Sequence, residues 1–371
     1  MMDIKAIKGE DILAATEPEQ IFGQLEVGNI HAPEALSDAF RALARVFHPD
    51  RTTNPSRAAR LKAVMQALLA LRDRAEAKLA AGTYGQASSI SISAANLYTD
   101  VFFWRPGDIC DVYAGTYLHV PKVGRNDPPG KISRHAVIKI ARAPGDADLL
   151  RNEMAILKDL FATKGDEHDH FKRYLPEPLE STSVKIGSTV RPANVLSQSH
   201  ESVSLAEVRA AYPVGLDAAD MAWMWRRALE ILSWVHSRGY VHGAVLPPHI
   251  LVHPASHGAT LVDWCYSTKI GSPIKALSVP NESYYPPEVI ARQPATPATD
   301  LFMLATCMRA LLGTPPMPSS RISGILDACL IPNQQARFGD AWEVYRLLDK
   351  ALLATYGPPR FRPFAMPQET T

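Results

Sequence analysis

Between Ala35 and Phe47 the large apolar side chains fall at Leu36, Phe40, Leu43 and Phe47, with Arg41 and Arg45 off that line. Spacings of three and four residues place them on one face of a helix over 35–47. Leu61, Val64, Met65, Leu68 and Leu71 repeat the pattern and predict a second helix over 57–79. Pro49 lacks an amide hydrogen and restricts the residue before it, so the first helix must stop at the loop Phe47-His-Pro-Asp-Arg51. Residues 20–82 therefore read as two antiparallel helices joined by a short loop.

The pattern then changes. Residues 83–100 are small and polar with weak alternation, which suits a linker ending in a strand. Short β-type runs follow at Asp111–Tyr117, His135–Ile140 and Ala193–Leu196, with one helix, Asp148–Phe161, among them. His119 to His135 reads as an insertion between two strands. Asp166-Glu-His-Asp-His170 has metal-ligand residue types, but adjacent residues cannot all face one ion, and a solvated loop is the simpler account. From Asp217 to Thr355 helical periodicity dominates, and Trp223, Trp225 and Trp234 are expected to fill a core. The tail 357–371 reads as irregular. Arg360-Phe-Arg-Pro-Phe364 within it has the outline of a docking peptide, although a disordered tail accounts for it more simply.

A chain of 371 residues with 46% hydrophobic and 21% charged residues has material for a real core and for more than one domain. The mixture of segments predicts an α+β, multidomain fold. Lys plus Arg is 39 against 38 for Asp plus Glu, which gives no global electrostatic case for nucleic acid or an anionic membrane. Cys110, Cys265, Cys307 and Cys329 are widely spaced, so neither a zinc motif nor a disulfide framework is suggested. Residues 1–11 mix charges without an apolar centre, unlike a signal peptide. The apolar run Leu301–Gly313 is interrupted by Arg309 and too short to span a bilayer. A soluble, cytoplasmic protein with reduced thiols is expected.

His48-Pro-Asp50 between two amphipathic helices, with Arg41, Arg45 and Arg51 beside it, resembles a J-domain over residues 18–80. Ile21-Phe-Gly-Gln-Leu-Glu-Val27 would be its short first helix. The resemblance implies a partner, a DnaK-class heat-shock ATPase, engaged by His48, Pro49, Asp50, Arg41, Arg45 and Arg51. Pro49 would rigidify the loop, Asp50 offer a carboxylate, and the arginines steer toward an acidic surface. On its own, the same hairpin could use Asp50 merely to cap its second helix.

Tyr240-Val-His-Gly-Ala-Val-Leu-Pro-Pro-His-Ile-Leu-Val252 resembles a protein-kinase catalytic loop, and other signposts of that family stand around it in order. Ala136-Val-Ile-Lys-Ile140 resembles the strand bearing the phosphate-holding lysine, here Lys139, and Glu153 falls where its glutamate partner belongs. Leu261-Val-Asp-Trp-Cys265 resembles the metal-binding turn, with Asp263 as its aspartate. Tyr285-Pro-Pro-Glu288 resembles the Ala-Pro-Glu element, Arg337 matches the arginine that pairs with its glutamate, and Asp300 matches the aspartate that braces the catalytic loop. His242 reads as a hydrogen-bonded core residue. Residues 101–356 thus resemble a bilobal protein-kinase fold, for which the resemblance implies ATP and Mg2+ held by Gly107, Lys139, Glu153 and Asp263, with Asp263 as the metal ligand.

The departures bear on activity. Ala244, Leu246 and His249 stand where the family has its catalytic aspartate, lysine and metal-binding asparagine. Only Gly107 remains of three expected glycines in Arg105–Tyr113. Loss of the orienting carboxylate alone costs orders of magnitude in such chemistry, so no catalytic residue is expected and the region resembles a pseudokinase. The expected organisation is a J-domain over 1–82, a linker over 83–100, a kinase-like domain over 101–356 and a tail. The corresponding function is a co-chaperone adaptor whose kinase-like part binds a client protein or nucleotide, with no nucleic acid and no membrane. The alternatives are an unorthodox kinase-fold transferase moving a phosphoryl or nucleotidyl group, and a structural scaffold.

Overall fold

The computed structural model describes residues 7–15, 17–23, 25, 29, 31–52, 54–80, 84, 91–93, 96, 98–119, 132–186, 189–198, 202–314 and 319–367. Contacts divide the chain into two compact units. The first comprises Met1–Asp146 and Glu180–Val195, the second Ala147–Leu179 and Leu196–Thr371.

The first unit opens with four helices, α1 (Gly9–Ala14), α2 (Glu19–Phe22), α3 (Ala32–Phe47) and α4 (Pro55–Ala80). The apolar stripes foreseen on α3 and α4 face one another. Leu36, Leu43 and Phe47 meet Val64, Leu68 and Leu71, and Ile12 and Phe22 close the core. The expected helix 21–27 is corrected to α2: Gly23, at φ 72°, ends it after Phe22, a left-handed turn that glycine adopts freely. Helix α1 was not foreseen, being a single short amphipathic turn. Lys78 joins Glu17 and Glu19 at 2.9 and 2.6 Å and ties the end of α4 to the start of α2.

Strands follow: β1 (Ser91–Ser93), β2 (Tyr98–Pro106), β3 (Cys110–His119) and β4 (Ile132–Ala141), so the segment expected as linker ends in two strands. With β5 (Pro178–Ile186) and β6 (Thr189–Ser197) they form a six-stranded sheet in the order β1-β5-β6-β4-β3-β2. β5 escaped the sequence pattern because Glu180, Ser181, Thr182 and Ser183 interrupt its apolar positions. The register pairs Phe103 with Tyr113 and Val112 with Lys139. The guanidinium of Arg74, in α4, lies 4.1 Å from the ring centre of Phe103, so helices and sheet share a contact within this unit. Of the insertion expected between His119 and His135, residues 120–131 lie outside the described ones.

The second unit begins with α5 (Ala147–Ala162) and α6 (Asp166–Lys172), continues through β7 (Val203–Ser204) and α7 (Leu205–Ala211), and centres on α8 (Ala218–Ser237). Asp166–His170 is therefore helical, a correction to the loop expectation; Gly165, at φ 127°, sets the chain direction before it. After α8 come β8 (Tyr240–Val241), β9 (Ile250–His253), β10 (Gly258–Leu261) and β11 (Thr268–Lys269), then α9 (Pro287–Ile290), α10 (Pro297–Leu312), α11 (Ser320–Cys329) and α12 (Ala341–Tyr356). β10-β9-β7 and β11-β8 are two small sheets. Trp225 and Trp234 are buried in the core around α8, whereas Trp223 is only partly buried and faces the tail. The described tail has no regular structure but is anchored, which corrects the expectation of disorder: Phe364 is buried and Arg362 is ion-paired to Asp217 and Asp220. Among the described residues no helix is long and apolar enough to cross a membrane, and the four cysteines are free, buried thiols.

Candidate functional site

The segment between β8 and β9 is a sharp turn held from below. Gly243, at φ 75°, has a backbone that side-chain-bearing residues rarely adopt, and a Cβ there would stand 2.7 Å from the carbonyl oxygen of Tyr266. The carboxylate of Asp300, in α10, accepts the amides of His242 and Gly243 at 2.8 and 2.9 Å and lies 2.9 Å from His236 Nε2. A fully buried carboxylate is tolerable because these donors surround it. Its place in the first turn of α10 ties the loop to that helix.

His242 accepts the Ala244 amide on Nδ1 at 3.3 Å and donates from Nε2 to the carbonyl of Val262 at 3.2 Å. That pattern belongs to the neutral ring. Burial, opposed by Asp300, pushes its pKa down to about 4. The ring meets Trp264 edge-on at 4.6 Å. Ala244, Val245 and Leu246 are wholly buried, and the thiol of Cys307 donates to the carbonyl of Val245 at 3.5 Å from beneath. Burial raises the Cys307 thiol well above its ordinary range, so it stays protonated and inert. Where a phosphotransferase would present a carboxylate and an ammonium, this chain presents packed aliphatic carbon.

His249 closes the loop. Its Nδ1 lies 3.0 Å from the carbonyl oxygen of Ala244 and its Nε2 3.1 Å from Asp263 Oδ2. Both ring nitrogens face oxygen atoms, so the ring is held from two sides. Asp263 itself has left-handed backbone angles, φ 66° and ψ 66°, and precedes a buried 3-10 turn, Trp264–Tyr266. Asn152, in α5, donates to the carbonyls of Cys265 and Ser267 at 3.1 and 2.9 Å, and Trp264 donates its amide to Glu153 at 3.2 Å. The turn is stapled to α5, where a Phe-Gly pair would leave it free to swing.

Ligand atoms of Glu153, Asp263 and Cys265 lie within 4.8 Å of one another. The sulfur in this cluster escaped the sequence analysis, since Cys265 belongs to no paired motif. The two carboxylates are donors that Mg2+ takes together with water and phosphate oxygens, whereas the Cys265 sulfur is too soft for it. One Asp263 oxygen is engaged by an imidazole, the neighbouring position offers a thiol, and His249 supplies nitrogen where the resemblance calls for an amide oxygen.

Further from the loop, Glu288 and Arg337 form a buried bidentate pair, with both N–O distances at 2.7 Å. Arg337 also donates to the carbonyls of Ala298 and Pro332, and Thr299 donates to Glu288 at 3.1 Å, so every charge is satisfied. In the first unit Lys139 is buried on β4 opposite Val112. Gly107 donates its amide to the Cys110 carbonyl across the β2–β3 turn, and a Cβ there would lie 2.7 Å from that oxygen.

The His-Pro-Asp loop stands at the end of the α3–α4 hairpin. His48 Nδ1 accepts the amide of Asp50 at 3.3 Å, and Arg51 donates to the carbonyl of Arg45 at 3.0 Å. Asn54, not Asp50, caps α4, accepting the Arg57 amide at 3.2 Å. The Asp50 side chain is 87% exposed, and Arg41 and Arg45 are exposed on α3.

No family model matches the chain. It is similar to serine/threonine-protein kinase F of Synechocystis sp., 27% identical over 158 residues that cover 36% of this chain and 32% of that protein. The chain thus spans about a third of that relative's length. The likeness, together with the mixed helix and sheet architecture, supports a kinase-like region in this chain.

Proposed function

We propose that the protein is an adaptor that recruits a DnaK-class chaperone ATPase through residues 41–51 and binds a client protein or a nucleotide through its kinase-like region. The observation that carries this reading is the exposed carboxylate of Asp50, which lies 3.5 Å from the ring of its neighbour His48 and caps no helix, while Arg41 and Arg45 stand exposed on α3 and Asn54 does the capping. A loop that kept its acid only for stability would bury or cap with it. Such a surface of paired signs suits a transient, electrostatically steered contact.

The kinase-like region acts by recognition. Phosphoryl transfer needs a base or orienting group and charge stabilisation together, and the buried Ala244–Leu246 segment supplies neither. In the second unit Glu153 and Asp263 are carboxylates of the kind that hold Mg2+ beside a nucleotide's phosphates. ATP and Mg2+, implied by the kinase resemblance, therefore belong to this reading as ligands to be recognised. The transferase alternative draws on the same two carboxylates and on the kinase name of the Synechocystis relative.

The test is stimulation of a DnaK-class ATPase by the full chain. Stimulation lost in His48→Gln, with the fold intact by circular dichroism, is the expected result. An equal rate with and without the wild-type chain would end the adaptor reading. Transfer of label from ATP to the protein or a substrate, abolished by Lys139→Ala, would establish the transferase instead.

A further inference from the structure

The tail of the second unit lies in a site built for it. Asp217 and Asp220, at the cap and first turn of α8, and Trp223 one turn on are spaced by three residues and share one face of the helix. Tyr212, after α7, and His257, in the β9–β10 turn at φ 53°, complete the wall. Arg362 enters between the two carboxylates, donating from Nη2 to Asp217 at 3.0 Å and from Nε to Asp220 at 3.1 Å. Phe364 is buried against Tyr212 and Trp223, and Phe361 lies over His257 with ring centres 4.5 Å apart. Tyr212 donates its hydroxyl to the carbonyl of Ala365 at 2.7 Å.

We propose that this face is a docking site for extended peptides of the pattern aromatic–Arg–Pro–aromatic, occupied in cis by residues 361–364, and that a partner protein bearing such a segment displaces the tail. Side chains make the contacts one by one: a guanidinium between two acids and an aromatic ring in an aromatic slot, the anchors of short-peptide recognition. The tail is also an imperfect occupant. Phe361 remains 64% exposed, and the buried nitrogens Trp223 Nε1 and His257 Nε2 have no hydrogen-bond partner. A ligand that supplies those partners gains over the cis segment. This inference is independent of the adaptor reading.

The probe is a fluorescein-labelled synthetic peptide of residues 357–367, titrated into the full chain and into its Arg362→Ala/Phe364→Ala variant. A tethered competitor acts at an effective concentration on the order of millimolar. The variant is therefore expected to bind the peptide at least about tenfold more tightly than the wild type. Adding Asp217→Asn and Asp220→Asn should abolish that binding. A folded variant that ignores the peptide, or a wild type that binds it equally well, overturns the proposal. Should the variant unfold, Asp220→Asn alone is expected to speed tryptic cleavage after Arg360 about tenfold or more by releasing the tail to solvent. Unchanged cleavage would also overturn it.

Discussion

His249 Nε2 lies 3.1 Å from Asp263 Oδ2, so a residue that departs from the kinase pattern is paired with one that keeps it. The pair places an imidazole against one oxygen of the carboxylate that the kinase resemblance gives to a metal. In thermal-shift measurements, ATP with Mg2+ is expected to stabilise the wild type more than ATP in EDTA does. His249→Asn supplies an amide oxygen and releases Asp263, and should enlarge that difference. Equal shifts with and without the metal would remove Asp263 as a metal ligand.

The imidazole of His242 titrates at about 4 in the folded protein against 6.5 in the unfolded chain, chiefly through burial. Below 6.5 the unfolded chain binds a proton that the folded one refuses. Stability from this residue is therefore complete above about pH 6.5 and declines as pH falls toward 4, by roughly 3 kcal/mol across the window. Denaturant unfolding between pH 7 and pH 5 should show a shallower pH slope for His242→Gln than for the wild type. Equal slopes would remove His242 from the account.

Glu288 and Arg337 are 3% and 0% exposed and hold each other at both ends. Removing one partner strands the other charge in the core, so Arg337→Met or Glu288→Leu alone should cost about 3–5 kcal/mol. The double variant should recover much of that loss. A double-mutant cycle by chemical denaturation reads the coupling directly.

Asp50 allows the proposed chaperone contact to be tested apart from stability. Its side chain is exposed and caps no helix, so Asp50→Asn should change unfolding free energy by less than about 0.5 kcal/mol. The same substitution should remove stimulation of a DnaK-class ATPase. Comparable loss of stability would mean the carboxylate serves the hairpin itself.

The helices with strong stripes were legible because burial on one face writes itself at three- and four-residue spacing. Leu36, Leu43 and Phe47 lie where that spacing puts them, and Val64, Leu68 and Leu71 answer from α4. The loop around Gly243 was legible for a different reason: Tyr240–Val252 keeps the apolar frame of a kinase catalytic loop. His249 was legible only as a substitution. Nothing local says that its ring would reach Asp263, fourteen positions on, because that distance is set by the β9–β10 hairpin between them. The tail failed for the same physical reason. Arg360–Phe364 has no periodicity, and its order comes from Asp217, Asp220 and Trp223, whose common face appears only once α8 has formed.

The layer formed by Ala244, Val245 and Leu246 sets a cost on placing an acid at this turn. An aspartate introduced at position 244 alone would have to surrender its hydration among hydrocarbon, at a penalty of several kcal/mol. Burial would also push its pKa up, away from that of a working base. A single substitution is therefore a poor way to engineer a carboxylate here, and its neighbours would have to be remade with it.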